Sequence, residues 1–385
     1  MPTWIGSASS RPVHGWHAFH YRGAGRIEEA RTMAARATPD TRSPVLAICG
    51  WSGAGKTTLL EAIIPELKRR GLAVAVLKHD AHGLEVDRPG KDSDRLFRAG
   101  AEVVLHGPGE VLRRARPAAV EDLWAALAVL ADHNDLVLVE GHKDTPLPKV
   151  WLASEHSPEP PPSLTGCLAV LSWGAGRTAR MLELLDRWLP SAWRTVPLLG
   201  GILVGGGSAR MGRPKQLLMH GGTTFLETVA KALEPSVQRV VLLGSDAIPR
   251  SCEHLPRLAD PPGVDGPLAG ILAALRWAPG CAWIFAACDL PKLAPAAVEW
   301  LAEQRAPGRW AVVPDCGRGV EPLFALYEPQ ARGLLEALSA SGGRAPRQIA
   351  AHEKVAVLEP PADLRGCWRN INTPDDLAAL TDAPG

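Results

Sequence analysis

Eight residues early in the chain form a pattern that is suited to holding phosphate groups. The run GWSGAGKT (Gly50–Thr57) fits G-x-x-x-x-G-K-[ST], with an apolar strand before it and an apolar-periodic helix after it. The glycines let backbone N–H groups point at phosphate oxygens, and the start of the helix adds partial positive charge. Lys56 can reach the β and γ phosphates, and the Thr57 hydroxyl can hold Mg²⁺. The predicted nucleotide-binding residues are Gly50, Trp51, Ser52, Gly53, Ala54, Gly55, Lys56, Thr57 and Thr58.

A carboxylate on a neighbouring strand could complete a metal site at this loop. Glu140 ends the apolar run LVLVE (Leu136–Glu140), where P-loop proteins usually carry an aspartate. We expect it to lie at the metal or one water away, so Thr57 and Glu140 are the predicted metal ligands. The alternative is a solvated carboxylate at a strand end.

A second glycine loop follows another apolar run. LVGGGSARMGRPKQLL (Leu203–Leu218) contains consecutive glycines followed by cations, but no GK[ST]. The glycines are Gly205, Gly206 and Gly207, and the cations are Arg210, Arg213 and Lys215. Glycines and cations without a hydroxyl ligand suit a site where a nucleoside triphosphate is attacked at its α phosphate. The alternative is a plain turn between a strand and a helix.

Polar residues at other predicted strand ends could serve the same site. Asp289, in ACDLP, leaves an apolar strand at its carboxyl end, where ligands of open α/β sheets bind. A lone carboxylate there is a good Mg²⁺ ligand, although capping the next helix is an alternative role. Asp260 precedes the turn GPLAG. Asn370 and Asn372, in NINTPDDL, adjoin a helix start and could face a ligand.

Each motif joins a predicted strand to a predicted helix. Apolar runs at 45–48, 73–78, 102–106, 136–140 and 167–171 predict a parallel sheet covered on both faces. Runs at 198–204, 239–244, 283–289 and 310–314 predict a second sheet. The expected fold class is α/β with two three-layer domains, a P-loop NTPase-like domain and then a Rossmann-like nucleotidyltransferase domain. We expect them over 44–194 and 198–385, after an N-terminal extension (1–43) that we expect to be flexible.

Composition excludes several classes of protein. The 42 Lys and Arg nearly balance the 41 Asp and Glu, so the chain is not built to coat nucleic acid or an anionic membrane. Seven cysteines without a CxxC pair fit a reducing cytosol. No uninterrupted apolar run has the length of a membrane span, and the start lacks the apolar core of a signal peptide. We expect a cytoplasmic protein with no nucleic-acid or membrane partner.

The first domain resembles the MobB family, GTP-binding accessory proteins of molybdenum cofactor synthesis. The similar stretches are GWSGAGKTTLLEAIIPELKRRGLAVAVLKHDAHG, DRPGKDSDRLFRAGA and LVLVEGHKDTPLPK, within about 45–152 and extending towards 188. The resemblance implies GTP rather than ATP, at best weak GTP hydrolysis, and a helper role. The chemistry of the loop does not itself choose between the bases.

The second domain resembles the molybdenum cofactor guanylyltransferases, the MobA family. LVGGGSARMGRPK, GPLAG, ACDLP, EPLFALY and NINTPDDL match the family's motifs in order, over about 198–380. The resemblance implies guanine-nucleotide contacts from Leu203, Val204 and Gly205. It also implies that Lys215 meets the triphosphate, Asp260 the nucleoside, and Asp289 both Mg²⁺ and the triphosphate. Val204 and Ala209 depart from the commoner Ala and Arg, and the second departure weakens a role for that side chain.

The two resemblances imply that GMP is transferred from GTP to molybdopterin or Mo-molybdopterin, with release of pyrophosphate. Asp289, Lys215 and Arg210 are the predicted catalytic residues, and the phosphate nucleophile needs no general base. Molybdoenzyme apoproteins or molybdenum-insertion proteins are the expected protein partners. A cytidylyltransferase for the same cofactor and a non-catalytic GTP-binding carrier are the alternatives.

Overall fold

A computed structural model of the protein describes residues 44–78, 87–116, 123–205 and 213–381. The predicted N-terminal extension and three predicted site residues, Gly206, Gly207 and Arg210, lie outside these ranges. Within them, none of the helices combines the length and the apolar character needed to cross a bilayer.

The first half is built on a parallel sheet of five strands in the order β2-β5-β1-β6-β7. The strands are β1 (Val45–Gly50), β2 (Val74–Lys78), β5 (Leu136–Glu140), β6 (Lys149–Leu152) and β7 (Cys167–Leu171). Helices α1 (Lys56–Arg69) and α4 (Arg177–Arg194) bury apolar residues against one face of this sheet. Helix α3 (Leu123–Ala131) covers the other face. A short helix α2 (Asp92–Arg98) follows β2 in the chain.

One predicted strand lies outside this sheet. We expected residues 102–106 to join the parallel sheet, and that prediction is wrong. They form β3 (Val103–Gly107), which pairs antiparallel with β4 (Glu110–Arg114) in a separate hairpin. The reason is local: only Pro108 and Gly109 separate the two strands, and Gly109 adopts φ 85°. A two-residue turn with positive φ favours a hairpin rather than a parallel crossover.

The second half is built on a seven-stranded sheet in the order β12-β11-β8-β13-β15-β14-β16. Its strands are β8 (Leu198–Leu203), β11 (Val240–Leu243), β12 (Arg257–Leu258), β13 (Ala282–Ala287), β14 (Ala311–Pro314), β15 (Phe324–Tyr327) and β16 (Val355–Leu358). Only β15 runs antiparallel to its neighbours within this sheet. A two-stranded ribbon, β9 (Met219–His220) with β10 (Thr223–Thr224), follows the second glycine loop.

Helices cover both faces of the second sheet. Helices α5 (Phe225–Leu233) and α7 (Pro295–Glu303) pack on one face. Helices α6 (Pro267–Trp277) and α8 (Ala331–Ala340) pack on the other. Helix α9 (Pro374–Thr381) follows the last predicted motif. The predicted fold class, two three-layer α/β units, is therefore confirmed, while the predicted domain boundaries stay predictions.

The two halves are joined by a buried polar contact centred on Asp135, which is fully buried. Its Oδ2 accepts hydrogen bonds from the Ala73 amide and the Lys354 ammonium, both at 2.7 Å. Its Oδ1 accepts from the Trp310 indole at 2.8 Å and the Gly308 amide at 3.2 Å. Because Lys354, Trp310 and Gly308 belong to the second half, one carboxylate bonds both halves together.

The contact at Asp135 also shows at which ends of the two sheets the glycine loops lie. Asp135 directly precedes β5, and Trp310 and Lys354 directly precede β14 and β16. Both sheets therefore meet at the amino ends of their parallel strands. Both glycine loops follow carboxyl ends, after β1 and β8, so each loop lies at the end of its sheet away from this contact.

Candidate active site

The first glycine loop has the geometry of a phosphate-binding loop. Gly55 caps α1 with φ 79°, a left-handed conformation that glycine adopts without strain. At Gly50 a Cβ would lie 2.8 Å from the Leu152 carbonyl oxygen, so only glycine lets β1 and β6 approach this closely. Lys56 Nζ donates to the carbonyl oxygens of Gly50 and Trp51, each at 3.1 Å. The ammonium therefore already lies across the mouth of the loop.

The predicted metal ligands of this loop lie together. The Thr57 hydroxyl donates to both carboxylate oxygens of Glu140, at 3.0 and 3.2 Å. The adjacent Thr58 is exposed on α1. A hydroxyl and a carboxylate beside a phosphate loop form the donor set that Mg²⁺ takes when phosphate oxygens fill the rest of its shell. The residues present fit the metal.

A side chain that could not be identified from the sequence holds this loop in place. Arg177, at the start of α4, is 8% exposed. Its guanidinium donates to Ala54 O at 2.7 Å, Ala153 O at 2.5 Å and Ser172 O at 2.9 Å. Burial, followed by the charge of Arg180, lowers the pKa of this group below its usual value. Arg177 thus ties the phosphate loop to the segments that follow β6 and β7.

The second glycine loop leaves the sheet at Leu203 and Val204, which are both buried. Gly205 has φ 139°. The neighbouring Gly244 is needed for packing, because a Cβ there would lie 2.0 Å from Val204 O. Arg257, whose Nε donates to Gly244 O at 2.6 Å, holds that turn in place. The turn after β11 therefore packs against the described part of the loop and fixes its conformation.

Beside this loop lies a polar triad formed by Lys215, Asp289 and Asn372. Lys215 Nζ donates to Asp289 Oδ2 at 2.8 Å and to Asn372 Oδ1 at 2.6 Å. The Lys215 and Asp289 side chains are 19% and 13% exposed, so their pairing is only partly screened by water. Three residues from three distant predicted motifs are brought together here.

The closing motif is tied to the end of β13. The Ile371 amide donates to the Asp289 carbonyl oxygen at 3.0 Å. Asp376 Oδ2 accepts from the amides of Asn372 and Thr373, at 3.1 and 3.0 Å. Bonds from the Thr373 side chain and from those amides lower the pKa of Asp376. This capping arrangement positions Asn372, whereas Asn370, half-buried two residues earlier, stays a predicted contact.

One oxygen of Asp289 has no partner among the described residues. Asp289 Oδ1 is buried and accepts no hydrogen bond from that part of the chain, while Oδ2 accepts from Lys215. A buried oxygen without a partner loses solvation, and a bound cation would compensate for that loss. Among the described residues no group of three or more His, Cys, Asp or Glu is placed to hold a metal. Asp289 nevertheless fits Mg²⁺, which needs only one or two carboxylates when phosphates supply the other ligands.

Asp260 lies at the same edge of the sheet, directly after β12. Partial desolvation, and then the charge of Asp246, raise the pKa of Asp260 above its usual value. A Cβ on Gly270 would lie 3.8 Å from Asp260 Oδ1 and 2.8 Å from Leu203 Cδ2. The glycine of GPLAG thus lets α6 pack close to both residues.

Comparisons with known proteins divide the chain into the same two halves as the structure. Residues 45–173 match the family described as molybdopterin guanine dinucleotide synthesis protein B, MobB. Residues 200–356 match the family described as the MobA-like NTP transferase domain.

Individual relatives agree with these family matches. A Haemophilus influenzae molybdopterin-guanine dinucleotide biosynthesis adapter protein is 42% identical over 123 residues, 31% of this chain and 69% of the relative. A Rhizobium meliloti molybdenum cofactor guanylyltransferase is 35% identical over 189 residues, 46% of this chain and 87% of the relative. The solved structure of Archaeoglobus fulgidus molybdopterin-guanine dinucleotide biosynthesis protein A is 28% identical. It covers 48% of this chain and 97% of that one, with a TM-score of 0.41. The resemblance to both families is confirmed, and the chain belongs to the MobB family in its first half and to the MobA-like NTP transferases in its second.

Proposed function

We propose that this chain is a molybdenum cofactor guanylyltransferase with a fused GTP-binding accessory domain. The second half transfers GMP from GTP to molybdopterin or Mo-molybdopterin and releases pyrophosphate. The observation that carries the proposal is the buried Asp289 oxygen, which has no partner within the described ranges and lies beside Lys215 and Asn372. The relatives of this half that are named guanylyltransferases support it.

The reaction needs alignment of charged groups more than acid–base chemistry. A phosphate oxygen of molybdopterin bonds to the α phosphorus of GTP, and the bond from that phosphorus to the α–β bridging oxygen breaks. The nucleophile is ionised at neutral pH, so no general base is required. Lys215 binds and neutralises the triphosphate, and Asn372 orients the Lys215 ammonium. Asp289 would hold Mg²⁺, which would supply charge neutralisation on the phosphates.

The accessory half binds GTP at the first glycine loop through Lys56, with Thr57 and Glu140 as the metal ligands. Its relatives are named adapter proteins, which supports a protein partner such as a molybdoenzyme apoprotein or a molybdenum-insertion protein. We propose that the reaction takes place in the cytoplasm.

The test is transfer of label from α-labelled GTP to molybdopterin with Mg²⁺, using the intact chain. We expect Asp289→Ala to abolish the product, and Glu359→Gln, which breaks an exposed pair with Arg365, to leave it unchanged. Product formation by Asp289→Ala at the wild-type rate would refute the role of this carboxylate.

The same assay separates the rival functions. A cytidylyltransferase would consume CTP in preference to GTP, and a non-catalytic carrier would yield no dinucleotide from either. Lys56→Ala tests the division of labour, because loss of transfer as complete as that of Asp289→Ala would contradict an assisting role for the first half.

A further inference from the structure

The loop after β7 carries an exposed indole beside the phosphate loop. Trp173 lies two residues beyond β7, and 50% of its surface is exposed. A Cβ on Gly55 would lie 3.7 Å from Trp173 Cζ3, so the ring borders the last turn of the phosphate loop. An exposed tryptophan beside a ligand loop offers a large apolar face that folding has not used.

This indole is held in position by Arg177. The Arg177 Cζ lies 5.1 Å from the centroid of the Trp173 ring, in a cation–π contact. The same guanidinium donates to Ser172 O, next to Trp173, and to Ala54 O in the phosphate loop. The ring and the loop therefore share one buried anchor, and their separation is fixed before any ligand binds.

The ring and the predicted metal ligands lie on opposite sides of the phosphate loop. Thr57 and Glu140 mark the β5 side of the loop, where a metal and the terminal phosphates would lie. In the sheet order β5-β1-β6-β7, Trp173 lies on the opposite side of β1. A nucleotide whose β and γ phosphates are held by the loop and its lysine would then have its nucleoside on the side away from the metal ligands, towards β6 and β7.

The other exposed indole at this edge, Trp51, is less suited to a base. It is 40% exposed, but its ring meets Trp151 edge-on at a centroid distance of 5.5 Å. The Lys143 ammonium, from the segment after β5, lies 5.1 Å from its centroid. Trp51 thus packs within the first turn of the phosphate loop.

We propose that Trp173 is the surface on which the purine base of the nucleotide bound at the first glycine loop stacks. The inference rests on the proposed GTP binding by the accessory half and adds the residue that recognises the nucleoside. Stacking uses the π-face that every base presents, so it increases affinity for purine nucleotides in general. Choice between guanine and adenine must then come from other groups.

Calorimetry of the intact chain with Mg²⁺ and either GTP or inorganic tripolyphosphate tests this inference. The binding lost in Lys56→Ala identifies the accessory site and separates it from the transferase site. At that site we expect Trp173→Ala to weaken GTP about tenfold and to leave tripolyphosphate unchanged. Trp173→Phe should retain most of the GTP affinity, because a phenyl ring can still stack. Val170→Ala, another exposed apolar substitution on β7, should change neither ligand.

Each other result is decisive. If Trp173→Ala weakened the binding of GTP and tripolyphosphate equally, Trp173 would only maintain the shape of the loop. If it weakened the binding of neither, Trp173 would not contact the base. Both results overturn the inference. If Trp51→Ala weakened GTP binding and Trp173→Ala did not, the stacking surface would be Trp51. If Lys56→Ala removes no binding at all, the proposed GTP binding of the accessory half fails as well. Normal transfer by Trp173→Ala, measured in parallel, keeps the transferase proposal separate.

Discussion

Replacing Asp135 by alanine should weaken the contact between the two halves of the protein. The substitution leaves the Lys354 ammonium, whose side chain is 10% exposed, without its carboxylate partner. It also removes the acceptor of the Trp310 indole. Breaking a buried ion pair on one side costs about 3–5 kcal/mol, because the remaining charge stays desolvated. We expect the free energy of unfolding to fall by about 4 kcal/mol.

Urea unfolding followed by tryptophan fluorescence measures this change. The matched control is Glu336→Gln, which breaks the pair with Arg276. Both partners of that pair are 39% exposed, so its loss should cost less than about 1 kcal/mol. A cycle with Lys354→Met and the double substitution isolates the pair, and the double variant should lose less than the sum of the single variants.

Two results would refute this reasoning. One is a loss below about 1 kcal/mol for Asp135→Ala, the range of an exposed pair. The other is strict additivity of the two substitutions, which would mean that the carboxylate and the ammonium do not stabilise each other. Transfer of GMP under native conditions should survive Asp135→Ala, because Asp289 lies at the opposite end of the second sheet.

Three further predictions concern single positions. Arg177→Lys should weaken GTP binding at the first glycine loop nearly as much as Arg177→Met, since one ammonium cannot reproduce a guanidinium that bonds carbonyls of three separate segments; calorimetric rescue by lysine would contradict this. Gly201→Ala should cost about 1–3 kcal/mol in urea unfolding, because its Cβ would lie 2.5 Å from Phe285 Cδ1, and an unchanged midpoint would contradict it. Burial raises the pKa of the Cys288 thiol to about 12, so at pH 8 it stays protonated and mass spectrometry should find alkylation at exposed Cys167 but not at Cys288.

The first site could be predicted from sequence because its pattern describes local geometry. The glycines and the lysine of Gly50–Thr57 are close in the chain, and their spacing encodes the turn. Arg177 could not be predicted in this way, because its carbonyl partners come from three separate segments that only folding brings together. Asp135 is the same kind of case: a single carboxylate before a strand carries no sign of its distant partners.

The second site and the two sheets could likewise be predicted only in part from the sequence. Lys215, Asp289 and Asn372 were each predicted from motifs, but their mutual hydrogen bonds and the support from Asp376 depend on tertiary structure. The antiparallel insertion of β15 could not be predicted, because an apolar run carries no information on the direction of a strand within its sheet. Hydrophobic pattern identified a strand at 102–106 but could not say which sheet it would join.

The two glycine loops lie at the ends of their sheets away from the contact at Asp135, and this has a consequence for partners and products. If a protein partner binds over one loop, as proposed, it does not have to cover the other loop. A nucleotide product released at the second loop would leave at the sheet end away from the first half. Because both halves belong to one chain, the cell holds them in equal amounts.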